Sequence, residues 1–107
     1  MSLDFQLVAM MPTHVFDWNI THNLAHMAKE AKVYDALWNP IESGYKKASD
    51  LIVDLTFGLE ILKEQADRLE ALNPENGWGD YATLVEFVEE VLVNCKKYPD
   101  AEIFIYK

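Results

Sequence analysis

A change in the spacing of apolar residues near Thr21 constrains the fold more than any other feature of the sequence. Before it, apolar residues alternate with other residues over residues 3–10 and again over residues 14–20. A period of two is typical of β-strands that bury one face. After Thr21, apolar residues recur every three or four positions, which is typical of amphipathic α-helices. The sequence therefore predicts strands first and helices afterwards.

The two alternating segments predict an antiparallel β-hairpin. The connection around Pro12 is short, and a short connection favours antiparallel pairing. A hairpin alone is barely stable, so it needs a third strand or a helix on its apolar face. Residues 101–106 alternate once more. We predict that this closing strand adds to an edge of the hairpin.

Three helices are predicted between the hairpin and the last strand. Thr21 stands at an N-cap position, and the first helical pattern ends before Pro40. The second pattern runs from about Lys47 to Leu69, and Asp80 caps the third. Additional apolar residues lie on a flank of the second helix, at Val53, Phe57 and Ile61, which is compatible with a helix covered on more than one side. The order β-β-α-α-α-β favours an α+β fold in which three α-helices pack against a small antiparallel sheet.

Length and composition indicate one globular domain, residues 1–107. Half of the residues are apolar and a quarter are charged, as in ordinary folded chains. No apolar run approaches the roughly 20 residues that a membrane span needs. The N-terminus lacks a secretory pattern and Cys95 is the only cysteine, so we expect no disulfide and a cytoplasmic location.

The charge is strongly negative and unevenly distributed. The formal net charge of −9 argues against nucleic acid as a partner, because phosphate binding needs clustered basic residues. Residues 54–107 hold 12 acidic and 5 basic residues, against 6 and 4 in residues 1–53. Such acidity can steer a basic protein partner, or it can simply keep the chain soluble. The candidate protein-binding residues are Glu60, Glu64, Asp67 and Glu70.

A metal site is one hypothesis for the first helix. His22 and His26 are four residues apart and Glu30 follows four later, which places all three on one helix face. Two imidazoles and a carboxylate can bind zinc or a similar divalent ion. The string H-N-L-A-H resembles the zinc-protease pattern H-E-x-x-H, but Asn23 replaces the catalytic glutamate. Because an amide cannot take a proton from metal-bound water, protease activity does not carry over. The alternative is two histidines on a solvated or half-buried helix face.

A small-ligand site at the strand-to-helix junction is a second hypothesis. Thr21, His22 and Asn23 surround the start of the first helix, where free amides attract anions. With the aromatic surface of Trp18, Trp38 or Trp78 nearby, this arrangement suits a small nucleotide-like ligand. The alternative is that the polar residues satisfy the backbone while the tryptophans close the core. No glycine-rich phosphate loop supports the ligand hypothesis.

Catalytic residues are not evident in the sequence. Cys95 falls on the buried stripe of the third helix, where a thiol is usually inert packing. Ser43 and Ser49 lack the context of a nucleophile elbow or a triad. The sequence leaves enzymatic activity undecided, with the balance against it.

Three strings of the sequence carry a resemblance to known proteins. They are N-I-T-H-N-L at 19–24, A-L-W-N-P at 36–40 and N-P-E-N-G-W-G-D-Y at 73–81, followed by Cys95 and Y-P-D-A at 98–101. In this order they resemble a family of small uncharacterised proteins from bacteriophages and their bacterial hosts. The resemblance implies a phage or prophage origin and the host cytoplasm, and implies no activity. It draws attention to Thr21, His22, Asn23, Trp38, Asn76 and Trp78.

Two functional hypotheses follow from the sequence. The first is a non-catalytic phage accessory protein that binds a host protein through its surface, including the acidic face, with no cofactor expected apart from the divalent metal of the second hypothesis. The second is a small-ligand or metal-binding domain centred on His22 and Asn23. The sequence is compatible with either a monomer or a homodimer.

Overall fold

The computed structural model of the chain describes residues 2–9, 14–77 and 79–107. Met10, the hairpin connection around Pro12, and Trp78 lie outside these residues. Three strands form one antiparallel sheet: β1 (Ser2–Val8), β2 (His14–Thr21) and β3 (Glu102–Tyr106). The strand order is β2-β1-β3, so the closing strand adds to the free edge of the hairpin. The α+β fold class predicted from the sequence is confirmed.

One face of the sheet is buried and the other is open. Trp18, Phe5 and Ile105 form one row across the three strands. Leu3 and Leu7 are fully buried on the same face as Phe5, as the alternation predicts. The open face carries these exposed residues on the two edge strands: Asp17, Asn19, Glu102, Phe104 and Tyr106.

The helices cover the buried face. In the described residues they are α1 (Ala25–Glu30), α2 (Tyr34–Trp38), α3 (Ile52–Glu64), α4 (Ala66–Glu70) and α5 (Tyr81–Lys97). Short 3-10 turns, His22–Leu24 and Ala48–Leu51, precede α1 and α3. The three helical segments predicted from the sequence are therefore present, and the first two are each interrupted once.

The first interruption is a Schellman motif at the end of α1. The N–H of Lys32 donates to the carbonyl of Lys29 at 3.1 Å, and the N–H of Val33 donates to that of Ala28 at 2.9 Å. Lys32 has φ +65°, a left-handed conformation that glycine usually supplies. Because lysine stands there instead, the sequence carries no stop signal. The single helix expected up to Trp38 is therefore two helices.

The corner between α1 and α2 packs directly against α3. A Cβ atom on Gly58 would lie 2.1 Å from Cγ1 of Val33 and 3.1 Å from the carbonyl oxygen of Ala31. Both Val33 and Gly58 are buried. The absence of a side chain at Gly58 therefore lets α3 approach the corner closely.

Helix α5 joins the sheet to the other helices. Asp80 caps it, and the backbone N–H and hydroxyl of Thr83 donate to the Asp80 carboxylate and lower its pKa. Phe87 is fully buried, and its ring centroid lies 5.9 Å from Phe5, 6.1 Å from Trp18 and 6.3 Å from Trp38. This ring is where strands β1 and β2 meet helices α2 and α5.

Candidate functional site

The strand-to-helix junction begins with the cap predicted at Thr21. Its hydroxyl oxygen accepts from the backbone N–H of Asn23 at 3.2 Å. The turn that follows is a 3-10 turn of three residues, and α1 starts only at Ala25. One of the amides expected to attract an anion is therefore already bound by the chain itself. The side chain of Asn23 is exposed.

His22 is held by a hydrogen bond to the core. The indole N–H of Trp38 donates to Nδ1 of His22 at 2.9 Å. An indole nitrogen can only donate, so Nδ1 is an acceptor and the neutral ring carries its proton on Nε2. Trp38 is only 1% exposed, so this N–H has no access to bulk water. His22 therefore satisfies a buried donor, and neither ring nitrogen of this tautomer offers a free lone pair to a metal.

The other two candidate metal ligands have separate surroundings. His26 is exposed on α1, and the Glu30 carboxylate lies 3.5 Å from Nη1 of Arg68 on α4. Within residues 2–9, 14–77 and 79–107, no group of three His, Cys, Asp or Glu side chains is placed to hold a metal ion. The geometry adds no support to the metal hypothesis for His22, His26 and Glu30.

The three strings that carry the family resemblance meet around this junction. The bond between His22 and Trp38 joins the first string to the second. Gly79 of the third string packs closely against the first string. A Cβ atom added to Gly79 would lie 2.7 Å from Cγ2 of Thr21 and 3.1 Å from Cδ1 of Leu24. Trp78, also proposed as a ligand-binding residue, lies outside the described residues. The contacts show that residues far apart in sequence build one junction.

Trp38 contributes to the core instead of an open aromatic surface. Its ring stacks on Tyr34 at a centroid distance of 5.6 Å and meets Phe87 edge-on. A groove of about 430 Å³ beside β3 reaches Trp38, but Thr21, His22 and Asn23 do not line it. The described geometry therefore matches the alternative in which the polar residues satisfy the junction and this tryptophan closes the core.

We expect His22→Ala to lower the free energy of unfolding by about 2 kcal/mol, because it leaves the buried Trp38 N–H without an acceptor. Urea denaturation measures this loss. His26→Ala is the matched control, since His26 is exposed on the next turn and should change stability little. In a double-mutant cycle, Trp38→Phe should remove most of the cost of His22→Ala. Equal losses for the two histidine variants would contradict the role given to the bond.

The acidic candidates occupy the outer side of the helical layer. Glu60 and Glu64 on α3 and Asp67 and Glu70 on α4 are all exposed. Nζ of Lys63 on α3 lies 3.7 Å from the carboxylate of Glu89 on α5, so the outer faces of α3 and α5 adjoin.

The charges of α4 and α5 also act on a common group. Burial of the phenol raises the pKa of Tyr81, and the negative charges of Glu70 and Glu89 raise it further. Both carboxylates therefore lie close enough to Tyr81 to disfavour ionisation of its phenol. We call Glu60, Glu64, Asp67, Glu70 and Glu89 the acidic helical surface.

Two exposed apolar residues lie beside this surface. Val53 is 76% exposed and Phe57 is 59% exposed. Together with Glu60 and Glu64 they stand at offsets 0, 4, 7 and 11 along α3, which places them on one side of the helix. The sequence pattern marked Val53 and Phe57 only as a possible second covered flank. Their sequence spacing does not distinguish them from apolar residues that are buried. They are exposed because no described element packs over this side of α3.

The cysteine of the chain is not placed for nucleophilic chemistry. Cys95 is fully buried on α5, and burial raises the pKa of its thiol to about 12. The thiol is therefore protonated near neutral pH and closed to solvent. None of the helices in the described residues has the length and apolar character needed to cross a membrane.

Comparisons with known proteins find no matching family model, no matching curated protein and no matching solved structure. The resemblance to phage proteins therefore stays a prediction, and we infer a function from the surfaces of this chain.

Proposed function

We propose that the chain is a non-catalytic protein-binding domain whose partner docks on the outer face of α3. The observation that carries the proposal is the exposure of Val53 and Phe57, one turn apart on the same helix. Contiguous exposed apolar residues rimmed by polar ones commonly mark interaction sites in soluble proteins. An aromatic residue such as Phe57 is also a frequent centre of binding energy at interfaces.

The surroundings of Phe57 suit an apolar centre with a charged rim. Glu60 and Glu64 continue the same side of α3 toward its C-terminal end. On α5, Val93 is 59% exposed. It lies one turn after Glu89, whose carboxylate is 3.7 Å from Nζ of Lys63 on α3. A partner that covers the apolar residues would therefore place its own rim against carboxylates.

Charge complementarity favours a basic partner. Residues 54–90 hold 10 acidic and 2 basic residues, so the rim attracts lysine and arginine and repels phosphate. The partner that fits is a protein segment with apolar residues for Phe57 and basic residues around them. If the resemblance to phage proteins holds, a protein of the bacterial host is the first to test, in the bacterial cytoplasm.

Phe57→Glu is expected to reduce partner binding at least about tenfold, because it puts a charge at the apolar centre and the loss of a central aromatic costs more than 1 kcal/mol. The measurement is affinity capture from bacterial lysate, followed by titration of the identified protein. Ile41→Glu is the matched control, because Ile41 is 55% exposed but lies beside β3. Both variants should stay folded, since exposed positions tolerate such changes.

Charge reversal gives an independent readout. Replacing Glu60 and Glu64 with lysine should weaken binding of the same protein and flatten its dependence on salt. The proposal fails if every protein that the natural chain captures is captured equally by Phe57→Glu and by the charge-reversed variant. A metabolite or divalent metal that stabilises the natural chain, but not His22→Ala, would favour the small-ligand function instead.

A further inference from the structure

A groove lies between β3 and residues 38–46, the end of α2 and the segment that follows it. Its volume of about 430 Å³ is within the range that small-molecule sites commonly have. The chain closes both ends of the groove. At one end Lys47 forms a backbone bridge to Glu102, and at the other the Glu42 carboxylate lies 3.8 Å from Nζ of Lys107. The groove therefore has no room for a further strand, but it has room for a small molecule.

The inner part of the groove is apolar. Ile103 is 4% exposed and Trp38 is 1% exposed, whereas Ile41 on the opposite wall is 55% exposed. Pro40 and Ile105 complete the apolar lining. A ligand with an apolar group gains free energy there, because that group and the groove leave water together.

Backbone groups of β3 point to the groove side of the strand. The carbonyl of Ala101 accepts from the N–H of Ala48 at 2.9 Å, so it points away from β1. Because backbone direction alternates along a strand, the carbonyl of Ile103 and both backbone groups of Ile105 point the same way. No described residue supplies a hydrogen-bond partner for these three groups. One N–H donor and two carbonyl acceptors are therefore available to a ligand in the groove.

Two charged side chains of opposite sign stand together at one end of the groove. Lys46 and Glu102 are exposed and line it, and neither has an ion-pair partner among the described residues. The Asp50 carboxylate accepts from the backbone N–H groups of Lys46 and Lys47, which holds the main chain of Lys46 in place. Charge complementarity therefore favours a ligand that carries both a carboxylate and an ammonium group.

We propose that the groove binds a free apolar α-amino acid in its zwitterionic form. The carboxylate of the ligand pairs with Lys46 and accepts from the N–H of Ile105. Its ammonium group pairs with Glu102 and donates to the carbonyl of Ile103, and its side chain packs on Ile41. This site is separate from the proposed protein-binding surface, because the groove lining shares no residue with the acidic helical surface.

The test is a titration of the isotope-labelled full chain with L-phenylalanine, followed through the backbone amide signals by NMR. We expect a dissociation constant of about 1 mM or below, with the largest shift changes at Lys46, Ile103 and Ile105. Glycine lacks the apolar group, 3-phenylpropionate lacks the ammonium group and phenethylamine lacks the carboxylate. Each should bind at least about tenfold more weakly, because it loses the apolar contact or a charge-assisted hydrogen bond.

Variants of the chain assign the two charges. Lys46→Gln should weaken binding of L-phenylalanine and 3-phenylpropionate about fivefold and leave phenethylamine unchanged. Glu102→Gln should weaken L-phenylalanine and phenethylamine and leave 3-phenylpropionate unchanged. Lys47→Gln is the matched control, because Lys47 pairs with Asp100 at 3.6 Å and does not line the groove. Ile41→Glu should remove binding, since it puts a charge on the apolar wall.

Three results would each overturn the proposal. They are no shift change at the groove, equal affinity for 3-phenylpropionate or phenethylamine, and equal affinity for the uncharged N-acetylphenylalanine amide, which would show that the groove takes a peptide. Phe57→Glu should bind L-phenylalanine as the natural chain does. Conversely, Lys46→Gln should leave capture of the α3 partner unchanged, so the two proposals fail separately.

Discussion

Replacing Phe87 with alanine is expected to lower the free energy of unfolding by about 4 kcal/mol. Phe87 is fully buried and contacts Phe5, Trp18 and Trp38, so its removal leaves a cavity between the sheet and the helices. Domains of this size are commonly stable by only 5–15 kcal/mol, so the variant loses a large part of its stability. The unfolding temperature should fall by roughly 20 °C.

Two variants on the same helix act as controls for this loss. Phe87→Leu fills much of the cavity and should cost less than about 1.5 kcal/mol. Val93→Ala removes apolar atoms that are 59% exposed and should have little effect. Urea denaturation followed by circular dichroism measures all three. A loss for Phe87→Ala no larger than that for Val93→Ala would show that this ring does not join the two layers.

Local sequence patterns predicted those parts of the fold that depend on neighbouring residues. The alternation identified the buried faces of the strands, because side-chain direction in a strand depends only on position. The caps at Thr21 and Asp80 were also predictable, since each accepts from a backbone N–H two or three residues later. Helical spacing also placed Cys95 on the buried side of α5, although Phe87, which is equally buried, was not among the residues that the spacing marked. In each case the deciding interaction lies within one turn or one strand.

The remaining features depend on contacts between distant residues. The corner at Lys32 has a residue that seldom adopts positive φ, so no local signal marks it. Trp38 and His22 are 16 residues apart, and nothing in their spacing indicates a hydrogen bond between them. Phe57 has the pattern of a residue on a covered flank and is exposed because no described element packs over it. The sequence therefore identified the residues of the candidate site, but it did not predict the contacts between them.

Gly79→Ala is the variant that tests these distant contacts at the junction, with an expected loss of about 3 kcal/mol. One part of the loss is backbone strain, because φ is +90° and side chains disfavour that region by about 1–2 kcal/mol. The other part is overpacking, since the new Cβ would lie 2.7 Å from Cγ2 of Thr21. Gly77→Ala is the matched control, because φ is +76° there and, among the described residues other than its chain neighbours, no heavy atom lies within 4 Å of the added Cβ. It should show the strain alone.

A second change identifies the atom responsible for the overpacking. Thr21→Ser deletes the Cγ2 methyl but keeps the hydroxyl that caps the Asn23 amide, and serine caps as well as threonine. Combined with Gly79→Ala, it should recover about 1 kcal/mol, whereas combined with Gly77→Ala it should recover nothing. Urea denaturation of the four variants measures this coupling. Recovery in neither background would mean that the Thr21 methyl is not the group that an added Cβ at Gly79 overpacks, which would contradict the contact of 2.7 Å.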